Sequence, residues 1–366
     1  MLYVNFQKFL DYDKAAWSAI DRQIRRKIPM GKNHHRQSVY KNFEDHFPWA
    51  LATLLMKLFT IKLNKKFGTK YSCDGYNAKW FFDLCDRINC KPVVAVNSIG
   101  SLGGGNHFIE FSTSKNTGNT GVTVHAGSRN FGLKVANYWQ KKAKENRKRR
   151  YEVDFQNTVN EIKANSNQKH WDKLIKAAKL PPTATGLEYL DGDDWYGYLH
   201  DMTFAQIYAH ENVLNMMEII LTTLNLDKML MLSSDVVHTV HNYIDSDDLI
   251  IRKGAVQSIK GQKMLIPFNM EDGILVCEGK SNEDWYKSAP HGAGRLFGRG
   301  EMKRRKDIDV GDIRKRMADK GINLSIVPKD EVKEAYKDPA FIEEAIKPTA
   351  TIVDRLIPVL PLKAKD

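Results

Sequence analysis

The chain has 366 residues, 42% of them apolar, enough for one large buried core. Lys and Arg outnumber Asp and Glu by 56 to 44, and the resulting formal charge of +12 suits a polyanionic partner. Charge appears too early for a secretory signal, and no uncharged apolar run approaches the roughly 18 residues of a membrane span, so a cytoplasmic location with no membrane contact is expected. The four cysteines, Cys73, Cys85, Cys90 and Cys277, have neither the close pairing of a zinc site nor the density of a disulfide framework, and read as reduced, mostly buried thiols.

Residues 12–28 read as an amphipathic helix, with Trp17, Ile20, Ile24 and Ile28 at helical spacing and arginines opposite. Residues 30–46 carry His34, His35 and His46 among Lys and Arg; with no thiol nearby, this reads as a solvated loop near RNA rather than a metal site. Residues 48–59 form a second apolar helix with Pro48 in its first turn, and residues 79–88 a third. Residues 91–96 (KPVVAV) are expected to be a strand opening a β-rich section.

A glycine-rich turn at residues 98–105 then feeds a predicted strand through Asn106-His107-Phe108-Ile109-Glu110. After a polar hairpin, residues 122–125 read as a strand that delivers His125 to a second small-residue turn, 126–129, which ends in Arg129. Two histidines at the mouths of such turns favour a metal or phosphate site. Residues 140–151 (QKKAKENRKRRY) hold seven basic residues against one acid and form the best local candidate for a phosphate-contacting surface.

Pro181-Pro182 interrupts the helical region. A long helix follows, with Phe204, Ile207, Leu214, Met217 and Leu221 as its core stripe. His238 and His241 come next, then a strand at 273–278, and then residues 291–295 (HGAGR). There Gly292 and Gly294 let a phosphate approach the backbone, Arg295 supplies a forked cation, and His291 supplies a base, a metal ligand or a nucleophile. A basic helix is expected at 304–317. The chain shows no internal repeat and no domain boundary, and reads as one α+β domain over residues 1–366, with mixed sheets and peripheral helices around a central metal and nucleotide cleft.

Four segments carry a resemblance: residues 103–110 (GGGNHFIE), 124–132 (VHAGSRNFG), 241–243 (HNY) and 291–295 (HGAGR). In this order they resemble the RtcB family of GTP-dependent RNA ligases, over essentially the whole chain. The resemblance implies joining of an RNA 3'-phosphate or 2',3'-cyclic phosphate to a 5'-hydroxyl in RNA repair or tRNA splicing, with GTP and two Mn2+ ions. It makes His291 the guanylylated residue, and His107, His125 and His241 metal ligands. It puts Asn106, Phe108, Glu110, Ala293, Gly294, Tyr336 and Lys363 around the nucleotide, and Arg129 and Arg295 on RNA or phosphate. Glu110 can accept from the guanine N–H donors that adenine lacks, and imidazole suits Mn2+.

Two departures stand out. Where the family usually reads IPGSMG, residues 266–271 read IPFNME, which loses both glycines and puts Glu271 near the expected phosphate. The family's D-x-G-C-G-M segment, whose Asp and Cys bind both metals, has no counterpart, and Met1 resembles the methionine that ends it. We therefore expect those ligands from upstream sequence or a separate N-terminal polypeptide. Failing that, the chain would be a catalytically inactive RNA-binding remnant, with a metal-dependent phosphodiesterase as a further alternative.

Overall fold

The computed structural model describes residues 1–178 and 188–365; the Pro181-Pro182 break lies outside them. Seven strands form one sheet in the order Val237–His238, Leu2–Lys8, Thr120–His125, Phe108–Ser114, Ala350–Leu362, Ile274–Gly279 and Lys263–Pro267. Every pairing in it is antiparallel. The two outermost strands approach each other, and Leu265 N donates to Thr239 Oγ1 at 3.0 Å, so the sheet is nearly closed. This is the expected α+β architecture, with helices at the periphery.

The helix Gly192–Thr223 ties the layers together. Its first half packs Leu199, Phe204 and Tyr208 into an aromatic cluster with Phe43, Phe47, Phe81 and Phe131. Its second half packs Met216, Met217, Ile220 and Leu221 against Val4, Ile109, Val122 and Val124 of the sheet. The same face receives the helix Lys14–Lys27, whose Trp17, Ile20 and Ile24 are buried as their spacing predicts. The second predicted helix runs on to Phe67 as Trp49–Phe67 and ends where Gly68 takes a left-handed φ of 67°.

The strand expected at 91–96 is instead the helix Pro92–Ser98. Pro92 sits at the helix start, where the missing N–H has no intrahelical partner to lose, and valine's helix penalty of a few tenths of a kcal/mol yields to burial around Ala95. The basic helix expected at 304–317 is two helices, Arg299–Arg304 and Val310–Asp319. Asp309 separates them by capping the second, its carboxylate accepting from Gly311 N at 2.6 Å.

Candidate active site

Four separate elements deliver the four histidines. His107 precedes the strand Phe108–Ser114, and His125 ends the neighbouring strand, where it pairs in register with Phe108. His241 precedes the short strand Asn242–Ile244, and His291 follows Ser288–Pro290. The rings meet in sequence: His107 to His125 at 5.8 Å between centroids, His125 to His241 at 5.2 Å, and His241 stacked on His291 at 4.5 Å and 20°.

His291 has a defined tautomer. Its Nδ1 lies 2.7 Å from the Gly254 carbonyl, which can only accept, so Nδ1 carries the hydrogen and Nε2 carries the lone pair. Burial holds the ring below its ordinary pKa, the Gly254 bond acts the other way, and Lys253 adds to the depression. Gly254 itself has a φ of 66°, a backbone conformation that side chains rarely adopt.

Burial pushes His107 down to about 4 and His241 to about 3, and drives His125 well below the ordinary range. All three are therefore neutral at pH 7, the form that ligates metals. Their buried Nδ1 atoms have no hydrogen-bond partner, while His125 Nε2 and His241 Nε2 stand 3.0 Å apart. Two imidazoles bound to one ion at about 2.1 Å and roughly a right angle would stand about that far apart, so the pair fits a divalent cation, with His107 one ring away. Among the described residues, no group of three or more His, Cys, Asp or Glu is arranged to hold a metal ion. Among the described residues no anionic group completes the trio.

Beside the histidines lies a cavity of about 360 Å³, lined by Asn106, Phe108, Glu110, His125, His291, Ala293, Gly294, Arg295, Tyr336 and Lys363 together with Pro267, Phe268, Asn269, Met270, Arg299 and Glu331. His107, His241 and Arg129 stand outside this lining. Glu110 is fully buried and burial raises it to about 8, with Lys363 opposing; its Oε1 has no partner. Lys363 Nζ donates to Glu331 at 2.8 Å and to the Gly105 carbonyl at 3.2 Å.

Glu331 organises the opposite wall. It accepts from Tyr336 at 2.7 Å, from Lys363, and from Arg295 at 3.0 Å, while Arg299 approaches within 3.0 Å. Sequence reasoning missed Glu331, Arg299 and Gly254, because only the folded chain brings them to the motifs. The two arginines expected on phosphate are engaged with protein groups. Arg295 also donates to the Phe297 and Asp330 carbonyls and lies over the Tyr336 ring, and Arg129 donates to the Gly31 and Asn33 carbonyls.

Glu271, expected to sit near a phosphate, is absent from the cavity lining; its carboxylate is held by Arg316 and Lys320. Burial raises its pKa, but the bonds from Arg316 and Lys320 outweigh that and hold it below the ordinary carboxylate value. Asn269 takes the place of a flexible glycine turn, its side chain accepting from Glu271 N and Asp272 N. The basic run at 140–151 lies on the helix Arg129–Asn165, where Lys141, Lys142, Arg147, Lys148 and Arg150 pair with Glu145, Asp194, Glu188, Glu152 and Asp191.

A model of the family described as tRNA-splicing ligase RtcB matches residues 5–364. The RNA-splicing ligase RtcB of Escherichia coli strain K12 is 27% identical over 252 residues, 66% of this chain and 55% of that protein. The tRNA-splicing ligase RtcB of Nanoarchaeum equitans is 24% identical over 359 residues, 82% of this chain and 68% of that protein. This chain thus spans about half the length of the E. coli relative.

Proposed function

The chain belongs to the RtcB family, and on that premise we propose that it is an RNA ligase joining a 3'-phosphate to a 5'-hydroxyl through a histidine-GMP intermediate, in RNA repair or tRNA splicing. One observation carries the reading: His291 presents a lone pair at Nε2, fixed by Gly254, on the wall of a cavity that also holds Glu110 and Lys363.

In the proposed sequence His291 Nε2 attacks the α-phosphorus of GTP and pyrophosphate leaves. An RNA 3'-phosphate oxygen then takes the GMP from His291, forming a phosphoanhydride and freeing the ring. The 5'-hydroxyl of the second strand attacks the RNA phosphorus, loses its proton to solvent, and expels GMP. A 2',3'-cyclic end enters after hydrolysis to the 3'-phosphate. Glu110 accepts from the guanine N1 and N2 donors, and Tyr336, held by Glu331 and Arg295, offers a ring face to the base. His107, His125 and His241 would hold Mn2+, which supplies Lewis-acid neutralisation of phosphate charge when bound.

A second reading, a catalytically silent RNA-binding protein, is favoured by one observation: among the described residues no carboxylate or thiolate joins the three imidazoles. The experiment that separates them is ligation of 3'-phosphate and 5'-hydroxyl RNA with GTP and Mn2+, by this chain alone and with a D-x-G-C-G segment supplied in the same chain or as a second polypeptide. Ligation in either arm that His291→Ala abolishes supports the ligase. RNA binding without ligation in both arms supports the silent reading.

A further inference from the structure

A second cavity, of about 490 Å³, opens where the C-terminal end of the helix Lys14–Lys27 meets the loop that follows it and the end of the chain. Arg25, Arg26, Lys27, Arg36 and Lys365 line it with His34 and His35, and among the described residues no carboxylate does. Arg25 is paired with Asp21 at 2.7 Å, whereas Arg26, Lys27, Arg36 and Lys365 have no ion-pair partner among the described residues. The long basic run at 140–151, by contrast, has most of its charge answered by acids.

Cations at a helix C-terminus interact favourably with the helix dipole, which accounts for Arg25, Arg26 and Lys27 on their own. It does not account for Arg36 from the loop or Lys365 from the chain end converging on the same cavity, where like charges repel.

This pocket adjoins the active-site cavity, although the two share no lining residue. Arg25 Nη1 donates to the Lys363 carbonyl at 2.8 Å, and Lys363 reaches Glu331 in the nucleotide cavity. Gly31 N donates to the Leu102 carbonyl at 2.9 Å, just before the glycine turn that carries His107. Arg129 fastens the Gly31 and Asn33 carbonyls from the other side, and a Cβ placed on Gly103 would stand 2.0 Å from His107 Nδ1 and 2.8 Å from Arg129 Nη1.

We propose that this basic pocket binds the phosphodiester backbone of the RNA whose end enters the cleft. The inference rests on the reading that the chain acts on RNA. Several cations without an ion-pair partner among the described residues, gathered in one pocket, suit successive backbone phosphates, and the contact from Arg25 to Lys363 places that pocket beside the cleft rather than at a remote patch.

The test is fluorescence anisotropy of a single-stranded RNA with a 3'-phosphate, from 50 to 200 mM salt as a chosen range, on the parent and on the triple variant Arg26→Ala, Lys27→Ala, Arg36→Ala. Each phosphate contact on a single strand contributes about 0.7 to the slope of log K against log salt, so the triple variant is expected to lose about 2. Equal slopes in parent and variant overturn the pocket while leaving RNA binding itself intact. A parent that binds no RNA overturns both the pocket and the functional reading, and RNA binding at this pocket without ligation overturns only the latter. Should the triple variant unfold at a lower temperature than the parent, the pair Arg36→Ala, Lys365→Ala, drawn from the loop and the chain end, is measured in its place. It should lose about 1.4 in slope, and no loss overturns the proposal.

Discussion

The Gly254 carbonyl and His291 Nδ1 lie 2.7 Å apart, across a turn that only a residue tolerant of positive φ can make. That one contact fixes which ring nitrogen carries the hydrogen and which the lone pair. Without it the imidazole could present either nitrogen, and the lone pair would be aimed only part of the time.

Gly254→Ala tests this relationship. The new methyl would lie 3.4 Å from His291 Cε1 on a backbone whose φ is 66°, so both strain and contact push the ring. Misplacing a reacting group by about 1 Å can cost on the order of 100-fold, and a fall in the rate of GMP transfer to His291 of about 10- to 100-fold is expected, with little change in GTP affinity. An unchanged rate would remove Gly254 from the account.

Glu331 accepts from Lys363, Tyr336 and Arg295 at once and is almost fully buried. Glu331→Ala leaves those partners without their acceptor, and removing one member of a buried charged network typically costs about 3 to 5 kcal/mol. The variant is expected to unfold at a clearly lower temperature and to bind GTP weakly, and Glu331→Gln should fall between it and the parent. If Glu331→Ala matches the parent in thermal unfolding, the network contributes nothing net.

Glu110 offers a pH test. Burial raises it from the ordinary 4.5 to about 8, so between these values the unfolded chain is ionised while the folded chain still holds the proton. The stability from holding it is fully present below 4.5 and is lost as pH rises to about 8, at about 1.4 kcal/mol per unit. The parent should therefore lose stability relative to Glu110→Gln across this window. Accepting guanine donors requires the ionised form, so GTP affinity should rise from pH 6 to 8, by at most about tenfold per unit. Parallel stability profiles and a flat GTP affinity would contradict the assignment.

Gly103 bears on the metal ligands. Because a Cβ there would stand 2.0 Å from His107 Nδ1, Gly103→Ala must displace the ring, and Mn2+ retention measured by calorimetry should weaken. Equal Mn2+ binding by parent and variant would show that His107 is not a ligand.

The motifs made the four histidines legible, since each occupies a strand end or a small-residue turn. The residues that hold them were not. Gly254 precedes His291 by 37 positions and Glu331 follows it by 40, and neither belongs to a local pattern; only the sheet and the bridge between Arg295 and Tyr336 bring them together. Residues 91–96, expected as a strand, misled for a different reason. Consecutive valines suit a strand or a buried helix equally over so short a span, and Pro92 with the tertiary packing decided for the helix. The 140–151 run read as a candidate phosphate-contacting surface, and the pairing of Arg147, Arg150 and Lys142 with Glu188, Asp191 and Asp194 was not legible because those acids come from elsewhere in the chain.

The most direct test is to incubate the protein, with the D-x-G-C-G segment supplied, with Mn2+ and α-labelled GTP, and to map the label by mass spectrometry. A GMP adduct on His291, absent from His291→Ala, with no AMP adduct formed from labelled ATP, is the predicted result. No adduct, or an adduct that survives His291→Ala, would contradict the account.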